Sequence, residues 1–203
     1  MPIRAVIFDM GGVILRTESQ QGRRKWESRL GLKERELAQI VFGSEVSARA
    51  SIGLGTDADV WKNVASILHL SDAQLEELER DFWSGDRIDD ALVQFIHDLH
   101  PRYKTAILSN AWSGARAAIS NKYGLGAVVD AIITSAEEGV AKPDARIYRL
   151  AAERLGVLPG EAVFVDDVAE NVDAARAVGM RGVQFKSTAQ AIAEVRSHLN
   201  DGV

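Results

Sequence analysis

The sequence contains no cysteine, so disulfide frameworks, thiolate metal sites and cysteine nucleophiles are excluded, and a reducing cytoplasm is the expected compartment. It has only 4 prolines, and 46% of its 203 residues are hydrophobic, which rules out a collagen-like or disordered chain. Positive charge is in deficit: 24 Lys and Arg stand against 29 Asp and Glu, for a net charge of −5. Such a field opposes sequence-independent attraction to a nucleic-acid backbone. No apolar run is long enough to span a bilayer. The N-terminal run is cut by Asp9 and the Gly11-Gly12 pair, so no signal peptide is expected. The partners expected are therefore neither nucleic acid nor membrane, and the length suits one globular domain with room for an inserted subdomain.

Short apolar runs rich in β-branched residues occur at Ile3 to Phe8, Lys104 to Leu108, Val128 to Ile133 and Ala162 to Val165, with a weaker one at Gly182 to Phe185. Each reads as a strand buried on both faces. Between them lie helical patterns at Ile88 to Leu99, Ser113 to Tyr123, Asp144 to Leu155, Ala169 to Val178 and Thr188 to Leu199. Gly156 and Gly179 stand where a left-handed residue closes a helix. The alternation predicts an α/β fold, a parallel sheet covered by helices. From about Glu18 to Gly85 it stops: patterns at Gly22 to Leu30, Glu34 to Phe42, Asp57 to Leu70 and Asp72 to Trp83 are helical, and no strand is evident. This stretch reads as an α-helical insertion after the first strand. Ile52-Gly53-Leu54-Gly55 is a loop within it, since no strand precedes it and a dinucleotide fingerprint needs a third glycine.

In an open parallel sheet, ligands bind beyond the carboxyl ends of the strands. The residues there are Asp9, then Ser109-Asn110, then Thr134-Ser135 followed by Lys142-Pro143, then Asp166-Asp167. A carboxylate nucleophile, a hydroxyl and an amide for phosphate oxygens, and a charge-neutralising lysine suit phosphoryl transfer through an aspartyl intermediate. Mg²⁺ takes oxygen ligands and keeps several waters, so Asp9, a backbone carbonyl and Asp167 form a chemically sensible site. Taken singly, each residue has a plainer reading. Asp9 and Ser109-Asn110 could be turn residues, Asp166-Asp167 a helix cap, and Lys142 a solvated loop residue.

The set Phe8-Asp9-Met10-Gly11-Gly12-Val13, Leu108-Ser109-Asn110, Lys142-Pro143-Asp144, and Phe164-Val165-Asp166-Asp167 through Asn171 to Gly179-Met180 resembles the haloacid dehalogenase superfamily. The likeness is to its phosphatase-like branch with a helical cap. It implies a three-layer Rossmann-like core (residues 1–15 and 87–203) and a cap (16–86) that closes over the site and selects the substrate. It further implies that Asp9 is the nucleophile, that the Gly11 carbonyl and Asp167 bind Mg²⁺ with Asp9, and that Asp166 supports the metal site. Ser109 and Lys142 would hold the phosphoryl group and Asn110 would orient it through its main chain or amide. The expected activity is Mg²⁺-dependent hydrolysis of a small phosphorylated metabolite. The alternatives are a 2-haloacid dehalogenase, in which the aspartate attacks carbon, and a phosphate-binding protein without turnover.

One position departs from the family's Asp-x-Asp pattern. Gly11 stands where the second aspartate would protonate the leaving group, help worth about 10²–10⁴ in rate. The branch resembled includes Asp-x-Gly members, among them sugar-phosphate phosphatases. Glu18, a cap residue or a metal-bound water are the candidate replacements. The histidines His69, His97, His100 and His198 share no ligand spacing and read as surface or packing residues. Arg23-Arg24-Lys25 reads as a solvated helix face, with the alternative that one side chain reaches an anionic substrate. Trp26, Trp61, Phe82 and Trp83 read as cap packing, an aromatic wall for the substrate being the other option.

Overall fold

The computed structural model describes residues 1–200; residues 201–203 of the expected core lie outside the described residues. In chain order the elements are β1 (Ala5–Phe8), β2 (Leu15–Thr17), α1 (Gln21–Leu30), α2 (Glu36–Phe42), α3 (Glu45–Ala50), α4 (Asp57–Leu68), α5 (Asp72–Trp83) and β3 (Asp86–Ile88). There follow α6 (Asp90–Leu99), β4 (Lys104–Ser109), α7 (Ala115–Ala117), β5 (Ala131–Thr134), α8 (Ser135–Glu138), α9 (Ala145–Leu155), β6 (Ala162–Asp166), α10 (Ala169–Ala177), β7 (Arg181–Gln184) and α11 (Thr188–Asn200).

Five strands form one parallel sheet in the order β5-β4-β1-β6-β7. Side chains alternate across a strand, and β1 shows what that does. Val6 and Phe8 enter a core with Leu92, Phe95 and Ile96 of α6 and Val195 of α11. Ala5 and Ile7 enter the opposite core with Ile147, Tyr148 and Ala151 of α9. Both faces are covered, which is why the strands read as unbroken apolar runs. Helices α1, α2, α4 and α5 build a third core around Trp26, Leu37, Val41, Trp61, Val64, Leu78 and Phe82. None of the helices is long and apolar enough to cross a membrane among the described residues.

The structure departs from the sequence reading in five places. β5 begins at Ala131, not Val128, because Asp130 turns back to accept from the Thr105 N–H and the Lys104 ammonium, both at 2.8 Å. The expected helix Ser113 to Tyr123 becomes the short α7 and a π-turn at Ala118–Lys122 that buries only Ile119. Helix α3 was not foreseen. Nor was the antiparallel pair β2–β3, which aligns Leu15 with Ile88 and Thr17 with Asp86 at the two ends of the insertion. Arg23 is also not solvated: its guanidinium donates to Phe82 O (3.0 Å) and Thr17 Oγ1 (3.2 Å), pairs with Asp86 (3.5 Å) and lies over the Phe82 ring. It ties α1 to that ribbon, whereas Arg24 and Lys25 are exposed and pair with Glu34 and with Glu77 and Asp81.

Asp89 fastens the ribbon to the sheet domain. Its carboxylate accepts from Leu92 N (2.9 Å), capping α6, from Arg16 Nη1 (2.6 Å) beside β2, and from the Thr188 hydroxyl at the start of α11. Burial pushes its pKa up, but the bonds from Thr188, Leu92 N and Arg16 outweigh burial and hold it below the usual 3.8. Asp89→Ala should therefore cost about 2 kcal/mol at neutral pH in urea denaturation. The lowered pKa means that this contribution is complete above pH 3.8 and fades as acid titrates the folded group. A deficit that stayed constant into acid would show that the charge contributes nothing.

Candidate active site

Parallel pairing brings every strand's carboxyl end to one edge of the sheet. Asp9 follows β1, Ser109 ends β4, Thr134 ends β5 and Asp166 ends β6. Lys142 reaches this edge from the loop after α8. Its ammonium lies 2.7 Å from Asp9 Oδ1 and 2.7 Å from Asp166 Oδ2, with 2% of the side chain exposed. A lysine so buried stays charged only if it is paired, and two carboxylates do that.

The side chains around it are themselves held. The Asn110 amide clamps the Lys142 backbone, Nδ2 donating to Lys142 O and Oδ1 accepting from Lys142 N, each at 2.8 Å. That amide therefore positions Lys142, one N–H of its Nδ2 being engaged and the second left free. Asp166 accepts from Val168 N (2.8 Å) and from Asn171 Nδ2 on both oxygens (3.1 Å), and Tyr148 donates to Asn171 O (2.9 Å). The role of Asn171 was not read from the sequence, although its place one turn into α10 after Asp166 was the available signal. Ser135, named among the strand-end residues without a role of its own, accepts from Ala111 N through its hydroxyl (2.9 Å) and fixes the loop after Ser109.

Asp9, Asp166 and Asp167 each present a carboxylate oxygen within 4.8 Å of the others. Burial pushes the Asp9 pKa up from 3.8 to about 6, Lys142 pulling it down and Asp166 adding to the rise. Asp167 is also raised, by burial and by Asp166. Three carboxylates thus face one ammonium, an imbalance that a hard cation with oxygen ligands would correct. Two backbone features suit such an ion. The Gly11 carbonyl accepts no hydrogen bond among the described residues, because the turn is closed by Leu15 N to Met10 O and Gly12 N to Leu15 O. Gly12 has φ +82°, and a Cβ there would lie 2.4 Å from Asp167 Oδ2. Gly12→Ala should push Asp167 aside and raise the divalent-metal concentration for half-maximal activity about 10- to 100-fold. An unchanged metal titration would show that Asp167 is not a ligand.

Glu18 is exposed beyond β2, tied only through its backbone to Gly85 O, and is outside the acidic group. His69, His97 and His100 are exposed and none belongs to that group. A cavity of about 600 Å³ lies between α5 and the Lys122-Tyr123 turn and is lined by none of these residues.

Residues 3–179 match the family model of the haloacid dehalogenase-like hydrolases. The chain is 28% identical to fructose-1-phosphate phosphatase YqaB of Escherichia coli over 190 residues, 89% of this chain and 95% of that one. It is 26% identical to (S)-2-haloacid dehalogenase 1 of a Pseudomonas species over 199 residues, 91% and 85% of the two chains. Its fold is similar to that of a HAD family enzyme from Bacteroides thetaiotaomicron solved with magnesium and inorganic phosphate, at TM-score 0.77 and 19% identity over 92% of this chain and 96% of that one.

Proposed function

We propose that this chain, which belongs to the haloacid dehalogenase-like hydrolase family, is a Mg²⁺-dependent phosphatase of a small phosphorylated metabolite, working in the cytoplasm. The observation that carries the reading is the acidic group around Lys142. Attack on carbon by Asp9, as in a dehalogenase, gives Asp167 nothing to do, whereas a metal-assisted attack on phosphorus uses it as a ligand. The absence of cysteine supports the compartment.

Met10 N and Lys142 Nζ both hold Asp9 Oδ1 at 2.7 Å, which fixes the carboxylate's rotation and leaves Oδ2 the freer oxygen. An Asp9 oxygen attacks phosphorus as the ester P–O bond breaks, the departing alkoxide takes its proton from water, and a further water hydrolyses the aspartyl phosphate to free Asp9 and inorganic phosphate. Lys142 offsets charge on Asp9 and on the transferring group, and the Ser109 hydroxyl and Asn110 main chain hold phosphate oxygens. Asp9, the Gly11 carbonyl and Asp167 would hold Mg²⁺, with Asp166 steadying Lys142 beside it; the ion supplies Lewis-acid stabilisation of the phosphoryl oxygens. Residues 16–86 serve as the cap over residues 1–15 and 87–203, shielding the site from bulk water.

The test is hydrolysis of p-nitrophenyl phosphate with Mg²⁺ and with chelator, beside 2-chloropropionate. Metal-dependent phosphate release supports the reading. Halide release without metal would establish the dehalogenase instead, and tight phosphate binding with no turnover would make the protein a binder.

Gly11 leaves the departing alkoxide without a side-chain proton donor. A Cβ at Gly11 meets no atom within 4 Å, and its φ is not in the left-handed region, so a side chain fits. Gly11→Asp should raise turnover of alkyl phosphates about 10²-fold while changing that of p-nitrophenyl phosphate little. Equal effects on both substrates would place the missing proton elsewhere.

A further inference from the structure

We propose that Trp112 and Phe42 form the surface on which the organic group of the substrate rests. The chain would then select phosphate monoesters of flat apolar or aromatic alcohols over those of polyhydroxylated ones. The proposal rests on the phosphatase reading and names its substrate class.

Position comes first. Trp112 is two residues beyond Asn110, so its Cα lies within about 7 Å of the residue that clamps Lys142. The backbone is pinned on both sides of it. Ala111 N donates to Ser135 Oγ at the end of β5 (2.9 Å), and beyond Trp112 the Ser113 hydroxyl and Gly114 N donate to Asp57 Oδ1, at 2.9 and 3.1 Å. Asp57 is the first residue of α4. The segment therefore runs from the strand ends to the helical layer, and Trp112 is the side chain presented between the two anchors.

The second observation is what Trp112 touches. Its ring lies 5.7 Å from that of Phe42, tilted by 35°, and 6.5 Å edge-on from that of Trp61. Phe42 continues to Phe82 and Trp83 at 5.6 and 5.9 Å. Within this run the inner rings are buried, Trp61 at 5% and Phe82 at 1% exposure, yet Phe42 is 48% exposed and Trp112 only half-buried. A sheet-domain tryptophan and a helical-layer phenylalanine thus leave a shared apolar face open beside the phosphoryl end of the site. Such a face holds rings by stacking and area burial. It offers almost nothing to hydroxyl groups, which lose their water partners on binding without replacement.

The experiment compares kcat/KM for 2-phenylethyl phosphate and glycerol 1-phosphate, whose leaving alcohols are of similar basicity, so that proton donation cancels in the ratio. The ratio should favour the aromatic ester by about tenfold in the wild type and fall about five- to tenfold in Trp112→Ala and in Phe42→Ala, with Trp112→Phe retaining most of it. A wild-type ratio at or below one, or a ratio unmoved in both alanine variants, overturns the proposal. If Trp112→Ala does not fold, the wild-type ratio and Phe42→Ala decide it. If the wild type hydrolyses neither ester nor p-nitrophenyl phosphate, it is the phosphatase reading that fails. Tryptophan-fluorescence titration with phenylphosphonate and methylphosphonate then still tests the surface: tighter binding of the phenyl compound supports it, and equal affinity overturns it.

Discussion

Asp9→Asn should lower metal-dependent phosphate release by at least about 10⁴-fold and, in chelator, make the protein more stable than the wild type at neutral pH. The first effect follows from chemistry: an amide does not displace an alkoxide from phosphorus. The second follows from electrostatics. Burial raises the Asp9 pKa from 3.8 to about 6 even with Lys142 at 2.7 Å. The folded state therefore holds this proton more firmly than the unfolded chain does. Below pH 3.8 the group is neutral in both states; between 3.8 and about 6 only the unfolded chain ionises, so stability is lost as pH rises, by on the order of 3 kcal/mol. Asparagine removes that loss. Thermal melts in chelator should show the variant melting higher at neutral pH, the gap closing in acid, and added divalent metal restoring the wild type more than the variant. A variant that melts lower than the wild type at neutral pH would mean that the pair with Lys142 outweighs the burial of Asp9.

Lys142→Met is expected to damage both folding and activity. The substitution conserves length but leaves Asp9 and Asp166 buried, within 4.8 Å of each other and of Asp167, with no cation among them. Breaking a buried pair by removing one partner costs about 3–5 kcal/mol. The loss should appear in urea denaturation at neutral pH and ease in acid, where protonation relieves the repulsion. Turnover should fall by about 10³-fold, in line with removal of a group that stabilises transferred charge. Lys142→Arg is not expected to rescue it, because a planar guanidinium cannot take the place of a compact ammonium between oxygens at 2.7 Å on either side. Stability equal to the wild type in metal-free buffer would refute the view that Lys142 holds the carboxylates together.

The sheet was legible from its central strands: in β1, Val6, Phe8, Ala5 and Ile7 serve two different cores, so every position there had to be apolar. The ribbon β2–β3 was not legible. Its residues Arg16, Thr17, Asp86 and Arg87 are polar, each strand is three residues long, and its partner lies beyond the whole insertion. For the site, the residues at strand ends could be named, since topology alone collects them. What those residues do to one another could not. Asn110 was expected to orient a phosphate by its main chain or its amide, and the amide proves to be engaged with the Lys142 backbone. Arg23 was expected on a solvated face, and a charge run does not reveal that one member turns inward to Asp86 and the Phe82 ring. Periodicity reports which face a side chain occupies, not which distant partner meets it.

The pairing of Thr17 with Asp86 has a consequence for how this molecule can change over evolutionary time. Chain leaving the sheet domain and chain returning to it are hydrogen-bonded neighbours, so the entropy of closing that excursion is settled at the ribbon. Because closure cost grows only with the logarithm of loop length, what is strung between the two strands can be lengthened, shortened or exchanged for another helical unit at little cost to the sheet. The inserted helices and the carboxylates at the strand ends are thereby free to diverge at different rates.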